Sequence, residues 1–111
     1  MKINFTTRGR NLIVSVTGEL DQHKASGLRE QTDIRIMHQN IKNLIFDFSK
    51  LDFMDSSGIG VIIGRYKLMR ATGGTVRIVT DKKSVKKLLE LSGIRKIIGI
   101  YENLSDAMKT A

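Results

Sequence analysis

The stretch NLIFDF, residues 43–48, constrains the fold of this chain more than any other. It is nearly all apolar, as a central strand covered on both faces tends to be. A parallel sheet with helices packed on it is the natural setting for such a strand. The residues around it repeat that theme at two different periods. Residues 2–6 and 11–17 read as strands joined by the turn Thr7-Arg8-Gly9-Arg10, and Leu12, Val14 and Val16 of the second alternate with Ser15 and Thr17. GELD, 18–21, ends that strand, and residues 22–38 read as a helix with a moderate apolar stripe. After a loop over 49–55, Ile59, Ile62, Ile63, Tyr66 and Met69 fall at three- and four-residue spacing, which predicts a helix over about 56–71. Gly73-Gly74 turns the chain into the strand TVRIV, 75–79, and a helix from about 82 to 92 stops at Gly93, suited to a left-handed C-cap. KIIGI, 96–100, reads as a short strand, and Asn103 with Asp106 marks the capped start of a last helix.

Strands alternating with helices imply right-handed crossovers. The expected class is therefore α/β, one compact domain over 1–111. It should have about five strands in a mixed, mostly parallel sheet, an N-terminal antiparallel hairpin and about four helices. Sites in such sheets gather beyond the carboxyl ends of the strands. The loops after 11–17 and 43–48 should emerge together and bring Glu19 and Asp21 near Asp55, Ser56 and Ser57.

Composition removes several function classes. With 111 residues the chain can bury one real core but not two. No apolar run approaches the roughly 20 residues of a membrane span, and MKINFTTRGR lacks the apolar stretch and cleavage site of a signal peptide. A cytoplasmic protein with no membrane contact is expected, and nothing in the chain demands more than a monomer. The absence of cysteine leaves no disulfide and no thiolate metal site. Nineteen Lys and Arg against eleven Asp and Glu give a formal charge of +8, which raises nucleic acid as a partner. However, Lys82, Lys83, Lys86 and Lys87 recur opposite Val85, Leu88 and Leu89 as a solvated helix face would. Aromatic residues, 5% of the chain, do not interleave with basic ones as a stacking platform requires. No direct nucleic-acid contact is expected.

The chemistry concentrates in FMDSSGIGVIIGRYK, 53–67. Asp and Ser are preferred N-caps, so the turn could simply start a helix, with Gly58, Gly60 and Gly64 easing its approach to the sheet. A serine nucleophile needs a base within hydrogen-bond reach, and the only histidines, His23 and His38, fall in or beside the first helix. The pattern is also not Gly-x-Ser-x-Gly. Gly58-x-Gly60, with Asp81 after the next strand, resembles a dinucleotide turn. Its third glycine, Gly64, is one place late, and no Gly-Lys-Ser/Thr ending is present. A small nucleotide- or anion-binding module built on the Gly58/Gly60 helix N-terminus stays open as an alternative. The other reading is a phosphoacceptor. Ser56 sits at or just before a helix N-terminus, where free N–H groups and the dipole accommodate a phosphate of about −1.5 to −2 charges. Beside Asp55 and Asp21, that charge would repel a partner docked on the loop. Ser57 could serve instead as acceptor, with Ser56 as the cap.

GELD at 18–21, LIFDFSKLDFMDSSGIGVIIGRYK at 44–67 and LLELSGIRKII at 88–98 resemble the anti-sigma-factor antagonists of the STAS-domain family, over essentially the whole chain. MDSSG followed by GVIIGRYK is most similar to the sporulation branch from spore-forming Gram-positive bacteria. The resemblance implies a non-enzymatic switch. The unphosphorylated antagonist binds an anti-sigma factor that is also a serine kinase and so releases the sporulation sigma factor. Phosphorylation on the first serine after the aspartate, Ser56, ends the antagonism, and a PP2C-type serine phosphatase restores it. It further implies partner contacts at Asp21 and Asp55, at Ser57, Gly58 and Ile59, and at Glu19. The chain itself carries no cofactor; ATP and metal belong to the partners.

Overall fold

The computed structural model describes residues 1–109, and within these the two periods of the sequence resolve into six strands and four α-helices. Strand β1 (Lys2–Arg8) and β2 (Asn11–Leu20) form the hairpin. Helix α1 (Gln22–His38), β3 (Asn43–Asp47), β4 (Leu51–Met54) and α2 (Ser56–Ala71) follow. Then come β5 (Thr75–Val79), α3 (Lys83–Ser92), a 3-10 turn at Ile94–Lys96, β6 (Gly99–Tyr101) and α4 (Leu104–Lys109). The sheet order is β1-β2-β3-β5-β6, with β4 paired to β2 alone. Only β1 and β2 are antiparallel, running from Lys2 opposite Thr17 to Arg8 opposite Asn11. The other pairings are parallel.

The central strand is apolar because both its faces are covered. Leu44 and Phe46 point, with Leu12, Val14, Val16, Val76 and Ile78, into the larger core beneath α1, α2 and α3, where Leu28, Ile62, Met69 and Leu89 meet them. Ile45 points the other way, with Ile13 and Val79, against Ala107 of α4. Burying each of these large side chains contributes about 1.5–3 kcal/mol.

Two segments depart from the expected pattern. Residues 51–54, expected as loop, form the sixth strand, and β2 runs on to Leu20 to pair with it. The two facts have one cause. Gly18 adopts φ +97, a conformation that favours glycine, and a register shift between Gly18 and Glu19 bends β2 past the end of β3. Its last residues then need a new partner, which β4 supplies. The final strand is shorter than expected, beginning at Gly99. The amides of Ile97 and Ile98 both donate back to the Ile94 carbonyl, at 3.0 and 2.9 Å, so the donors of a longer strand are already used.

Candidate functional site

The carboxyl end of the β2–β4 ladder builds the site. Leu20 and Met54 are opposite each other in parallel register, and the Asp55 amide donates to the Leu20 carbonyl at 3.2 Å. The next residue on each strand is an aspartate, and each aspartate caps a helix. Asp21 accepts from the amides of His23 and Lys24 at 3.0 and 3.2 Å. Asp55 accepts from the Ser57 amide at 2.9 Å and from the Ser57 hydroxyl. Two helices thus begin side by side with their positive dipole ends level, each headed by a carboxylate that satisfies orphan N–H groups.

The two serines differ sharply. Ser56, the first residue of α2, is exposed, whereas Ser57 is half-buried with its hydroxyl donated to Asp55. That hydroxyl is the main reason the Asp55 carboxyl is held below the usual carboxylate range. Burial opposes it, and the backbone N–H groups of Ser57, Gln22 and Gly58 reinforce it. The Gln22 contribution ties the cap of one helix to the first residue of the other.

Glu19 and Asp21 converge with Asp55, Ser56 and Ser57 as expected, although β4, not β3, delivers the second half. Gly58 and Ile59 lie beneath the turn. Ile59 is 9% exposed and belongs to the core. A Cβ on Gly58 would sit 2.4 Å from Met54 Cγ, 2.5 Å from its Sδ and 3.1 Å from Leu20 Cδ2, so this glycine permits the close approach of α2 to the ladder. Gly60 and Gly64 do not share that role, since a Cβ on either would meet nothing within 4 Å. His23 and His38 are both exposed and lie toward opposite ends of α1, and among the described residues neither shares a hydrogen bond with a serine hydroxyl. Among the described residues no group of His, Cys, Asp or Glu could hold a metal ion, and no helix is long and apolar enough to cross a membrane.

Sequence reasoning missed Phe53. It is 48% exposed on β4, opposite Glu19 in the ladder, and adds an aromatic surface beside the acidic turn. The segment LDFM carries no strict alternation, because Leu51 and Met54 point inward while Asp52 and Phe53 are exposed. The available signal was a large apolar residue immediately before an acid-capped turn. Arg29 and Arg65, which line a cleft between α1 and α2 reaching Ser57, were also not singled out.

The STAS domain family profile matches residues 2–107. An anti-sigma F factor antagonist of Paenibacillus polymyxa is 41% identical over 97 residues, covering 87% of this chain and 83% of the relative. The solved structure of the anti-sigma factor antagonist SpoIIAA in its unphosphorylated form superposes with a TM-score of 0.86, over 98% of this chain and 95% of that one, at 24% identity. The Bacillus cell fate determinant SpoIIAA in the phosphorylated form gives 0.77 over 98% of both chains, also at 24% identity. With its fold and these likenesses in agreement, the chain belongs to the STAS-domain family and, within it, to the anti-sigma-factor antagonists.

Proposed function

We propose that this protein antagonises an anti-sigma factor by direct binding, and that phosphorylation of Ser56 switches the binding off. The observation that carries the reading is the contrast between adjacent serines: Ser56 is exposed on the paired turn, while the Ser57 hydroxyl is committed to Asp55. An exposed hydroxyl can enter a kinase active site; one bonded to a half-buried carboxylate cannot without breaking the cap. Asp55, Ser56 and Ser57 form the contact surface, with Asp21 and Glu19 beside it. Gly58 and Ile59 act from beneath by fixing its shape.

In this reading the anti-sigma factor is also the serine kinase, and its capture releases a sporulation sigma factor. Phosphate on Ser56 places about −1.5 to −2 charges next to Asp55 and Asp21. The dipole of α2 tolerates that charge, so the fold persists while a docked partner meets bulk and repulsion. A PP2C-type serine phosphatase reverses the change, and ATP and metal are brought by the two enzymes. No residue of this chain carries out chemistry. The antagonist name of the Paenibacillus polymyxa relative supports the partner class.

Incubation with the anti-sigma kinase of the same organism and ATP, followed by peptide mass spectrometry, tests the reading. Stoichiometric phosphate on Ser56, absent from Ser56→Ala, is the expected result. Phosphate on Ser57 would keep the switch and move its site. No phosphate, with the kinase active on another substrate, would leave the turn as a pair of helix caps.

A further inference from the structure

The cleft between α1 and α2 has no part in that switch. It measures about 440 Å³, begins at Ser57, and is walled by Ser26 and Arg29 of α1 and by Gly60, Gly64 and Arg65 of α2. Its charge is unbalanced. Arg65, 9% exposed, holds Asp33 in a bent ion pair, Nε to Oδ1 at 2.8 Å, and donates to the Val61 carbonyl at 3.3 Å. Arg29 supplies a second, exposed guanidinium, and none of the ion pairs among the described residues includes it. Burial lowers the Arg65 pKa, Asp33 raises it and Arg29 lowers it again, which places the two arginines within each other's field. The cleft therefore sets two guanidiniums against one carboxylate.

Its shape is equally specific. Gly60 and Gly64 each cost the interior of α2 about 1 kcal/mol relative to Ala. Packing does not call for either, because a Cβ at both positions would point into open space. What the missing side chains provide is an open floor in front of the arginines.

We propose that this cleft receives a carboxylate side chain of the protein that docks on the Ser56 turn, as a second contact beside the switch. The proposal rests on the reading of that turn as a docking site, with which the cleft is continuous through Ser57. Charge complementarity selects the occupant: the chain carries a net +8, and the planar fork of arginine matches a carboxylate in two parallel hydrogen bonds. The turn and the cleft then present opposite signs a few residues apart, which fixes the orientation of the partner as well as its approach.

Calorimetric titration of the unphosphorylated chain with the anti-sigma factor of the same organism, at low and high salt, tests this. Arg29→Glu is expected to weaken binding about tenfold or more and to flatten its salt dependence, with Tm unchanged. Gly60→Ala combined with Gly64→Ala is expected to raise Tm while weakening binding. If Arg29→Glu does not fold, Arg29→Gln replaces it. Wild-type affinity in either variant overturns the cleft proposal and leaves the Ser56 switch standing. So does tight binding of inorganic phosphate that Arg29→Glu abolishes with partner affinity unchanged, which would make the cleft a small-anion site. A wild-type chain that binds no anti-sigma factor overturns both readings together.

Discussion

Neighbouring residues in the 54–59 turn do unlike work because each meets a different surface. Asp55 gathers donors, Ser57 donates, Ser56 faces solvent, and Gly58 presses α2 onto Met54. Of these, Gly58 offers the sharpest prediction. Gly58→Ala adds a Cβ 2.4 Å from Met54 Cγ, inside any real contact distance. Overpacking of this kind costs about 1–3 kcal/mol, against a gain of about 1 kcal/mol in helix propensity. Met54 is 6% exposed and has little room to yield, so the overpacking dominates. Thermal denaturation should show a lower Tm for Gly58→Ala and, by contrast, a higher one for Gly64→Ala. The Asp55–Ser56 turn was legible because N-cap chemistry is local and written within three residues, and Asp21 because it follows a strand that ends beside that turn. Phe53 and Arg29 were not, since an exposed phenylalanine and an unpaired arginine are defined only by what fails to cover them in three dimensions.

At the level of elements, the site is a consequence of two strands ending level. Loss of either capping carboxylate should cost about 0.5–2 kcal/mol. The Asp55 cap also has a signature in pH. Its folded pKa lies below the unfolded value of about 3.9. The ionised carboxylate thus stabilises the fold fully above the unfolded pKa, and that contribution disappears as pH falls through the lower folded one. Asp55→Asn keeps the cap acceptor and removes the titration. The stability difference between wild type and Asp55→Asn, followed by denaturant melts, should be constant near neutral pH and shift in favour of the variant below about pH 4. A difference that stays flat into acid would show that the Ser57 hydroxyl bond does not depend on charge. Helix α1 was readable from where β2 stops and from a moderate apolar stripe, and helix α2 from the spacing of its apolar residues and its capped start. The strand β4 was not, because its partner segment is set by the bend at Gly18, and no period within LDFM announces it.

The whole molecule divides its charge by region. The lysine face of α3 is partly neutralised from outside the helix: Lys82 meets Asp52 at 3.3 Å and Lys86 meets Glu102 at 3.1 Å. Exposed pairs of this sort contribute little to stability, so the excess basic charge bears on association more than on folding. That the sheet order and both cores follow the apolar pattern reflects how strongly burial specifies register. The turn itself belongs to a different regime of the same sheet. Residues 43–47 of β3 are bonded on both sides, to β2 and β5, whereas the ladder carrying Asp21 and Asp55 is three rungs long and has one partner. Local opening draws on the least-bonded parts of a structure. In hydrogen–deuterium exchange, the amides of Gly18 and Asp55, which donate to Lys50 and Leu20, should lose protection well before those of Leu44 to Phe46. Equal protection would mean that the short ladder opens only with the core. The proposed docking surface hangs from a three-rung ladder at the margin of the sheet, so under the proposed switch it can breathe, and be reshaped by a phosphate, on a clock of its own.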